Sequence, residues 1–387
     1  CTTSVGAVMR RTAAVRSPLL MMAPIWRDSP SAAGRPPPLR AQARREDRLW
    51  RTQVAADELT GRIDYRPAQG QAAGQVFARL SHLKLERSAA GNVDQLLRQQ
   101  PTSVPALDVV VDRLELGSRE LGRLALDAVN RNTDNGNEWR LNRVELEVPE
   151  ARLTGSGNWA TVGGSASQRR TVLNFKLDVK DAGQLLERFG TAGVVRGGKG
   201  QLDGTLGWLG SPLTLDHPSL TGQMQLDIER GQFLKAEPGL AKLLGVLSLQ
   251  ALPRRLLLDF KDVFSEGFAF DFVRGDARID QGVATTNNLQ MKGINAAVLL
   301  EGRADIARET QDIHAVVVPE LNAGTASLLA SAINPAVGLG SFLAQFLLRQ
   351  PLQDAATQEF RITGRWDEPQ VERLQRKPPS RPPVPSQ

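Results

Sequence analysis

Apolar and polar residues alternate in short runs from Trp50 onward, and Gly, Asn, Asp or Pro bounds each run. Alternation with a period of two predicts β-strands that bury one face and expose the other. Clear runs lie at 173–179, 224–228 and 268–272, where apolar side chains take every second position. The runs recur at roughly the 8–12-residue spacing of antiparallel all-β architectures. The sequence therefore predicts a mainly β fold.

A short motif recurs along the chain and supports a repeated unit. An apolar residue, any residue and then Gly close the segments 152–155, 201–204, 299–302 and 361–364. The motif predicts a repeated hairpin unit in an extended antiparallel sheet.

A few segments interrupt the alternation with helical spacing. Short helices are predicted at about 181–190, 239–252 and 323–348. The stretch 321–348 contains no charged residue, and Asn334-Pro335 divides it, so a pair of short helices within 321–350 is expected. Asn322, Asn334, Pro335 and the Gly and Ser residues of this stretch disfavour a membrane span. Two alternatives stay open: a lid packed on the sheet, or a membrane-touching tip. The tip candidates are Leu328, Leu329, Phe342, Leu343, Phe346 and Leu347.

The net charge of +6 is carried by the two ends of the chain. Residues 1–51 hold ten Arg and three acids, and residues 372–387 hold four bases and one acid, so the stretch between them is mildly acidic. This distribution argues against a nucleic-acid partner for the folded part. The ends are rich in Pro and Arg and show no period. We therefore expect a disordered or non-native leader at 1–48, a folded region at 49–371 and a disordered tail at 372–387.

The residue types that carry catalysis or hold metals show no supporting pattern. Cys1 is the only cysteine, and His82, His217 and His314 are far apart in sequence. Gly193, Gly198 and Lys199 match the start of a phosphate-binding loop, but Gly200 replaces the Ser or Thr that would ligate magnesium, so a hairpin turn is favoured. The sequence predicts no enzyme, no metal and no cofactor.

The alternating phenylalanines at 268, 270 and 272 form the richest apolar stripe. Two interpretations stay open, because an ordinary sheet core and a lipid-contacting face both bury one side of a strand.

Several long segments make the chain resemble the C-terminal region of the YhdP family, within the wider AsmA-like group. The resemblance runs from Trp50 to about Leu374. It is carried by 50–67, by 181–190, most specifically by 222–255 and 264–306, and by the closing 360–374 (FRITGRWDEPQVERL). It is a pattern of glycines and apolar positions without a catalytic signature, and the leader 1–48 falls outside it.

The resemblance implies a fold and a function. Such proteins form long, curved β-sheets with an apolar groove, are anchored in the inner membrane of Gram-negative bacteria and extend across the periplasm. They are linked to phospholipid transport between the inner and outer membranes and to the outer-membrane permeability barrier. The implied partners are phospholipid, both membranes and other envelope proteins, and the anchor is expected to lie upstream of this chain. We assign the groove wall to Phe268, Phe270, Phe272, Ile279, Leu289, Met291, Val298 and Leu300.

A rival function shares this fold. A structural or assembly factor could hold strands of outer-membrane proteins by adding them to the edges of the sheet. Co-purified phospholipid would favour transport, and a bound β-barrel precursor would favour assembly.

Overall fold

The computed structural model describes residues 40–70, 72–85, 104–133, 136–162, 165–234, 267–293, 296–319 and 357–374. Most of these residues lie in strands, which confirms the predicted mainly β fold. Among them, a single α-helix, α1, spans Ala182–Arg188 and confirms the helix predicted at 181–190. The helices predicted at 239–252 and 323–348 lie outside the described residues, as do the six tip candidates. No helix in the described ranges is long and apolar enough to cross a membrane.

The chain divides into two compact units, residues 1–142 and 143–387. The strands of the first unit are β1 (Arg40–Glu46), β2 (Leu49–Ala55), β3 (Leu59–Arg66), β4 (Gln75–Leu85), β5 (Ala106–Leu116) and β6 (Arg119–Thr133). Strand β7 (Gly136–Val148) crosses the division. The strands of the second unit are β8 (Ala151–Val162), β9 (Ser165–Val179), β10 (Val195–Leu209), β11 (Thr221–Phe233), β12 (Phe268–Asp280), β13 (Val283–Gly293), β14 (Ala296–Asp305), β15 (Thr310–Pro319), β16 (Gln358–Arg365) and β17 (Pro369–Leu374).

Two features of the first unit correct the sequence predictions. Strand β1 lies inside the predicted disordered leader, where it pairs along its whole length with β2. Its arginines are exposed, and backbone hydrogen bonds and an ion pair between Glu46 and Arg51 at 2.8 Å join it to β2, so no apolar alternation marks it. Strands β4 and β5 are parallel, although an antiparallel sheet was expected. The long intervening stretch 86–105 provides the chain length that a parallel connection needs.

The second unit is a meander in which β8 to β17 pair antiparallel with their neighbours in chain order wherever successive strands are described. Because neighbouring strands are in register, apolar positions of one strand face apolar positions of the next. The result is one apolar face, which we call face A. The other face is polar over β8 to β11, whereas over β14 and β15 it also buries apolar side chains, namely Ala297, Leu299, Val316 and Val318.

Helix α1 sits against face A at one end of its strands. It begins where the Asp181 carboxylate accepts a hydrogen bond from the Gln184 amide at 2.9 Å, as a helix N-cap does. It ends before Gly190, whose φ of 89° suits only glycine. Ala182 and Leu185 pack against the apolar core of the unit. The helix therefore closes one end of face A.

Candidate functional site

A row of four leucines crosses β8 to β11 on face A. Leu153 lies opposite Leu177, Leu177 opposite Leu202, and Leu202 opposite Leu226. All four side chains are half-buried. Three gaps between strands of about 4.8 Å give the row a length of roughly 14 Å.

The next row along the strands alternates large and absent side chains. Phe175 on β9 lies opposite Gly155 on β8 and opposite Gly204 on β10. A Cβ atom added at Gly204 would lie 2.3 Å from the Gln223 carbonyl oxygen, so no other residue fits without a backbone shift. The phenylalanine is thus flanked by glycine on both neighbouring strands, and the side chains of Leu173 and Met224 lie close to these glycines.

In the row beyond these two, Leu173 on β9 lies opposite Leu206 on β10. The three rows form a continuous apolar surface, which we call the trough. Its members share a strand position on face A and are all half-buried. They are Leu153, Leu173, Phe175, Leu177, Leu202, Leu206, Met224 and Leu226. Alternate residues of the same strands, such as Lys176, Gln201 and Gln225, are exposed on the polar face. The trough therefore has the chemistry of a surface for an apolar ligand.

Six of the predicted groove residues lie instead in a buried cluster over β12 to β14. They are Phe268, Phe270, Leu289, Met291, Val298 and Leu300, and each is at most 8% exposed. The cluster, which we call the sealed core, also includes residues of β15 and β16 together with Val179 of β9 and Ile228 of β11, and the trough residues Leu177 and Leu226 pack against it. The structure thus brings these six residues together but leaves little of their surface free. Ile279 lies in a separate buried cluster with Trp208, Leu220 and Ala284, and the trough residues Leu173, Leu206 and Met224 pack against this cluster.

Phe272 lies on the opposite face from Phe268 and Phe270. Phe270 is opposite Gly293 and Phe272 is opposite Lys292, so β12 has one extra residue between them. Such a bulge reverses the alternation, and Val273 takes the place in the sealed core that simple alternation gives to Phe272. The guanidinium carbon of Arg274 lies 4.0 Å from the centre of the Phe272 ring. The prediction that all three phenylalanines of 268–272 share one face is therefore wrong for Phe272.

One end of the trough is bordered by tryptophans and by exposed leucines. Trp159 and Trp208 are buried on either side of Thr171. The Trp208 ring nitrogen donates to the Ser211 carbonyl oxygen at 2.9 Å and so fastens the loop that follows β10. Apolar side chains near the ends of β8 and β10 and in the following loop are exposed. They are Val162, Leu209, Leu213 and Leu215.

The other end of the trough is bordered by α1 and an ion pair. Arg188 in the last turn of α1 donates two hydrogen bonds to the Glu150 carboxylate, at 2.8 and 2.6 Å. These bonds hold the pKa of Glu150 below its ordinary value, although desolvation opposes the shift. The pair fastens α1 to the turn between β7 and β8 and is fully formed at neutral pH.

The histidines and the glycine motif do not form a chemical centre with the trough. His314 lies with its ring nitrogens 3.3 Å from Glu301 and 3.1 Å from Glu359, while His82 contacts Glu115 at 3.0 Å. Among the described residues no group of His, Cys, Asp and Glu has the arrangement of a metal site. Lys199 lies within strand β10, not in the turn that the glycine spacing predicted, and no helix follows it as a phosphate-binding loop requires.

The sequence predicts the strands of the trough but does not distinguish the trough as the site. Its residues follow the alternating runs 173–179 and 224–228, which predicted strands correctly. The aromatic content of 268–272 favours β12 in the sequence, whereas partial exposure marks β8 to β11 in the structure. Alternation identifies a face, but it carries no information about what covers that face.

Comparisons with known proteins agree with the resemblance seen in the sequence. Residues 36–371 match a family model described as YhdP protein. The match begins within the predicted leader 1–48, so the related region starts earlier than expected. The chain is 31% identical over 261 residues, 67% of its length, to the protein named Intermembrane phospholipid transporter YhdP of Escherichia coli (strain K12). The match covers 20% of that relative, so the chain spans only part of it. No solved structure matches the chain significantly.

Proposed function

Because the chain belongs to the YhdP family, we propose that it carries phospholipid between the inner and outer membranes by shielding acyl chains on the trough. In this proposal the protein is not an enzyme. It acts in the periplasm as part of a longer, inner-membrane-anchored protein and helps to maintain the outer-membrane permeability barrier. The named activity of the Escherichia coli relative supports the phospholipid class of the ligand.

The energetics of acyl chains explain why an apolar surface is useful. Each methylene group that leaves a bilayer for water costs about 0.8 kcal/mol, so a chain of about 16 carbons faces a barrier on the order of 10 kcal/mol. A surface of leucine, methionine and phenylalanine side chains removes much of this cost. The polar face of the same strands keeps the sheet solvated on its other side.

One observation carries the proposal. The trough is a continuous apolar surface whose eight side chains are all half-buried, whereas the equivalent positions on the sealed core are buried. Contiguous apolar surface that stays accessible marks ligand-binding or interaction sites in soluble domains. The eight residues first assigned to the groove wall meet this condition less well, because all of them are buried.

A charge placed in the trough tests this function. We expect Leu202→Lys to remove most of the phospholipid that co-purifies with the protein, because an acyl chain cannot lie against an ammonium group without desolvating it. Bound lipid is extracted and quantified by mass spectrometry, per mole of protein.

The control is Gln201→Lys, which adds the same charge one residue away on the exposed polar face. It should leave the bound lipid at the wild-type level. Equal amounts of lipid in both variants and the wild type would contradict binding at the trough. A bound β-barrel precursor in place of lipid would favour the rival assembly function.

A further inference from the structure

The end of β10 and the loop that follows it present three exposed leucines. Leu213 is 57% exposed, more than any other large apolar side chain among the described residues, and Leu209 and Leu215 are 42% and 41% exposed. The stretch 209–215 (LGSPLTL) contains no charged residue. We call these seven residues the leucine tip. It lies at and beyond the end of β10 and is therefore separate from the trough on face A.

Hydrogen bonds at both ends of the loop hold the leucine tip in place. The Trp208 ring nitrogen donates to the Ser211 carbonyl oxygen at 2.9 Å, and both residues are buried. At the far end of the loop, the Gly282 amide donates to the Leu220 carbonyl oxygen at 2.8 Å, which joins the loop to the turn between β12 and β13. The fold therefore holds the leucines out in water through defined contacts.

The backbone amides of the leucine tip are bonded largely within the protein. The Gly210 amide donates to the Arg169 carbonyl oxygen at 2.9 Å. The Leu213 amide donates to the Ser211 hydroxyl at 3.3 Å, the Thr214 amide donates to the Ser211 carbonyl oxygen at 3.4 Å, and the proline before Leu213 has no amide proton. Polar backbone groups that are paired internally lose little when they leave water. The tip can therefore enter an apolar medium at low cost.

The charged residues beside the leucine tip are engaged at its base. The Asp216 carboxylate accepts a hydrogen bond from the Ser219 amide at 3.2 Å. Arg170, which lies opposite Leu209 on β9, donates to the Thr221 hydroxyl. Because these charges are held at the base, none of them has to leave water when the leucines do.

The small size of the leucine tip favours a bilayer over a protein partner. A specific protein–protein interface buries about 800 Å² on each partner and uses roughly 20–30 residues a side. Three leucines on one loop fall far short of that size. Insertion at a membrane surface needs only that apolar side chains reach about 5–10 Å into the boundary between headgroups and acyl chains.

We propose that the leucine tip inserts into the headgroup–acyl boundary of a phospholipid bilayer. The inference goes beyond the proposed function, because insertion does not require a lipid on the trough. Along β10, Leu209 follows the trough residue Leu206 by three positions, which corresponds to about 10 Å. A bilayer held at the tip therefore has its lipids close to one end of the trough.

Co-sedimentation with vesicles tests the insertion. The full chain is mixed with sucrose-loaded vesicles of phosphatidylethanolamine and phosphatidylglycerol, and the bound fraction gives a partition coefficient at low and at high salt. The tip variant carries Leu209→Gln, Leu213→Gln and Leu215→Gln. The control variant carries the same change at three other exposed apolar residues, by Phe77→Gln, Leu116→Gln and Phe189→Gln.

We expect the partition coefficient of the tip variant to be roughly tenfold lower than that of the wild type or less, because three apolar side chains no longer leave water. The control variant should match the wild type. High salt should leave the binding of the wild type nearly unchanged, since apolar insertion is not screened. Circular dichroism and thermal unfolding of both variants verify that the fold is retained.

A fluorescent label reports insertion while two of the three leucines stay in place. In a Cys1→Ser background, Leu213→Cys or Gln201→Cys is labelled with nitrobenzoxadiazole. Gln201 is exposed on the polar face and serves as the control position. On vesicles, the label at position 213 should brighten and be quenched by nitroxide lipids, and the label at position 201 should do neither.

The opposite outcomes overturn the inference. Equal partition of the tip variant and the wild type would do so, as would a label at position 213 that vesicles leave unchanged. An equal loss in the control variant would assign binding to general surface hydrophobicity. If, without vesicles, the wild type self-associates and the tip variant is monomeric, the tip joins two copies of the chain instead. The amount of phospholipid that co-purifies with the tip variant reports on the trough alone, so the proposed function and this inference fail separately.

Discussion

Face A looks alike in sequence over β8–β11 and over β12–β16, but the two regions differ in how far their side chains are buried. Leu202 and Leu226 in the trough are half-buried, while Met291 and Val298 in the sealed core are 1% and 0% exposed. The trough strand β11 places apolar residues at every second position, whereas β14 is apolar throughout Ala296–Leu300 and is buried on both faces. The same sheet face therefore provides a stabilising core in one region and a candidate ligand surface in the other.

This difference separates two roles of an apolar side chain. Burial within the protein stabilises the folded state, whereas an apolar side chain left half-exposed contributes less to folding and retains surface for a ligand. Substitutions in the sealed core should therefore affect stability above all, and those in the trough should affect lipid binding above all.

The largest expected effect comes from a charge in the sealed core. We predict that Val298→Asp costs about 4 kcal/mol or more of unfolding free energy, because the carboxylate is buried without a partner. Leu202→Asp in the half-buried trough should cost only about 1 kcal/mol, since its carboxylate can reach water. Urea unfolding followed by circular dichroism measures both. Similar losses for the two variants would mean that the trough is as closed as the core.

Cavity formation gives a second comparison with a smaller effect. Met291→Ala should lower the unfolding free energy by about 2–5 kcal/mol, as truncation of a buried side chain does. Leu226→Ala should lower it by about 1 kcal/mol, because part of its surface is already in water. If Leu226→Ala lowers the unfolding free energy more than Met291→Ala in the same urea titration, the contrast between trough and sealed core is contradicted.

The sequence predicted the face of most strands and the position of α1, since both follow from periodicity and a capping aspartate. It could not predict β1, whose arginine-rich strand is held by backbone pairing without an apolar pattern. It placed Phe272 on the wrong face because the bulge beside it is set by cross-strand register and not by local composition. The sequence favoured β12 as the site over β9 and β10. The exposure of an apolar side chain depends on tertiary packing, which the alternation of residues does not encode.

The smallest of the three expected differences in unfolding free energy concerns the ion pair that holds α1 at the end of the trough. The folded-state pKa of Glu150 is lowered, so its contribution is complete at neutral pH and is lost as the pH falls through that value. Glu150→Gln should therefore cost about 1.5 kcal/mol at pH 7 and much less in acid. Unfolding titrations at pH 7 and pH 3 measure the difference. An equal cost at both pH values would show that the charge of Glu150 does not stabilise the helix.

The central claim is tested most directly by a photo-cross-linking comparison of two phenylalanine positions on face A. A benzophenone amino acid replaces Phe175 in the trough or Phe270 in the sealed core, and adducts are identified by mass spectrometry after illumination with bound lipid. We predict phospholipid adducts from position 175 and only protein adducts from position 270, which is 5% exposed in the folded chain. Lipid adducts from position 270 and none from position 175 would contradict the account.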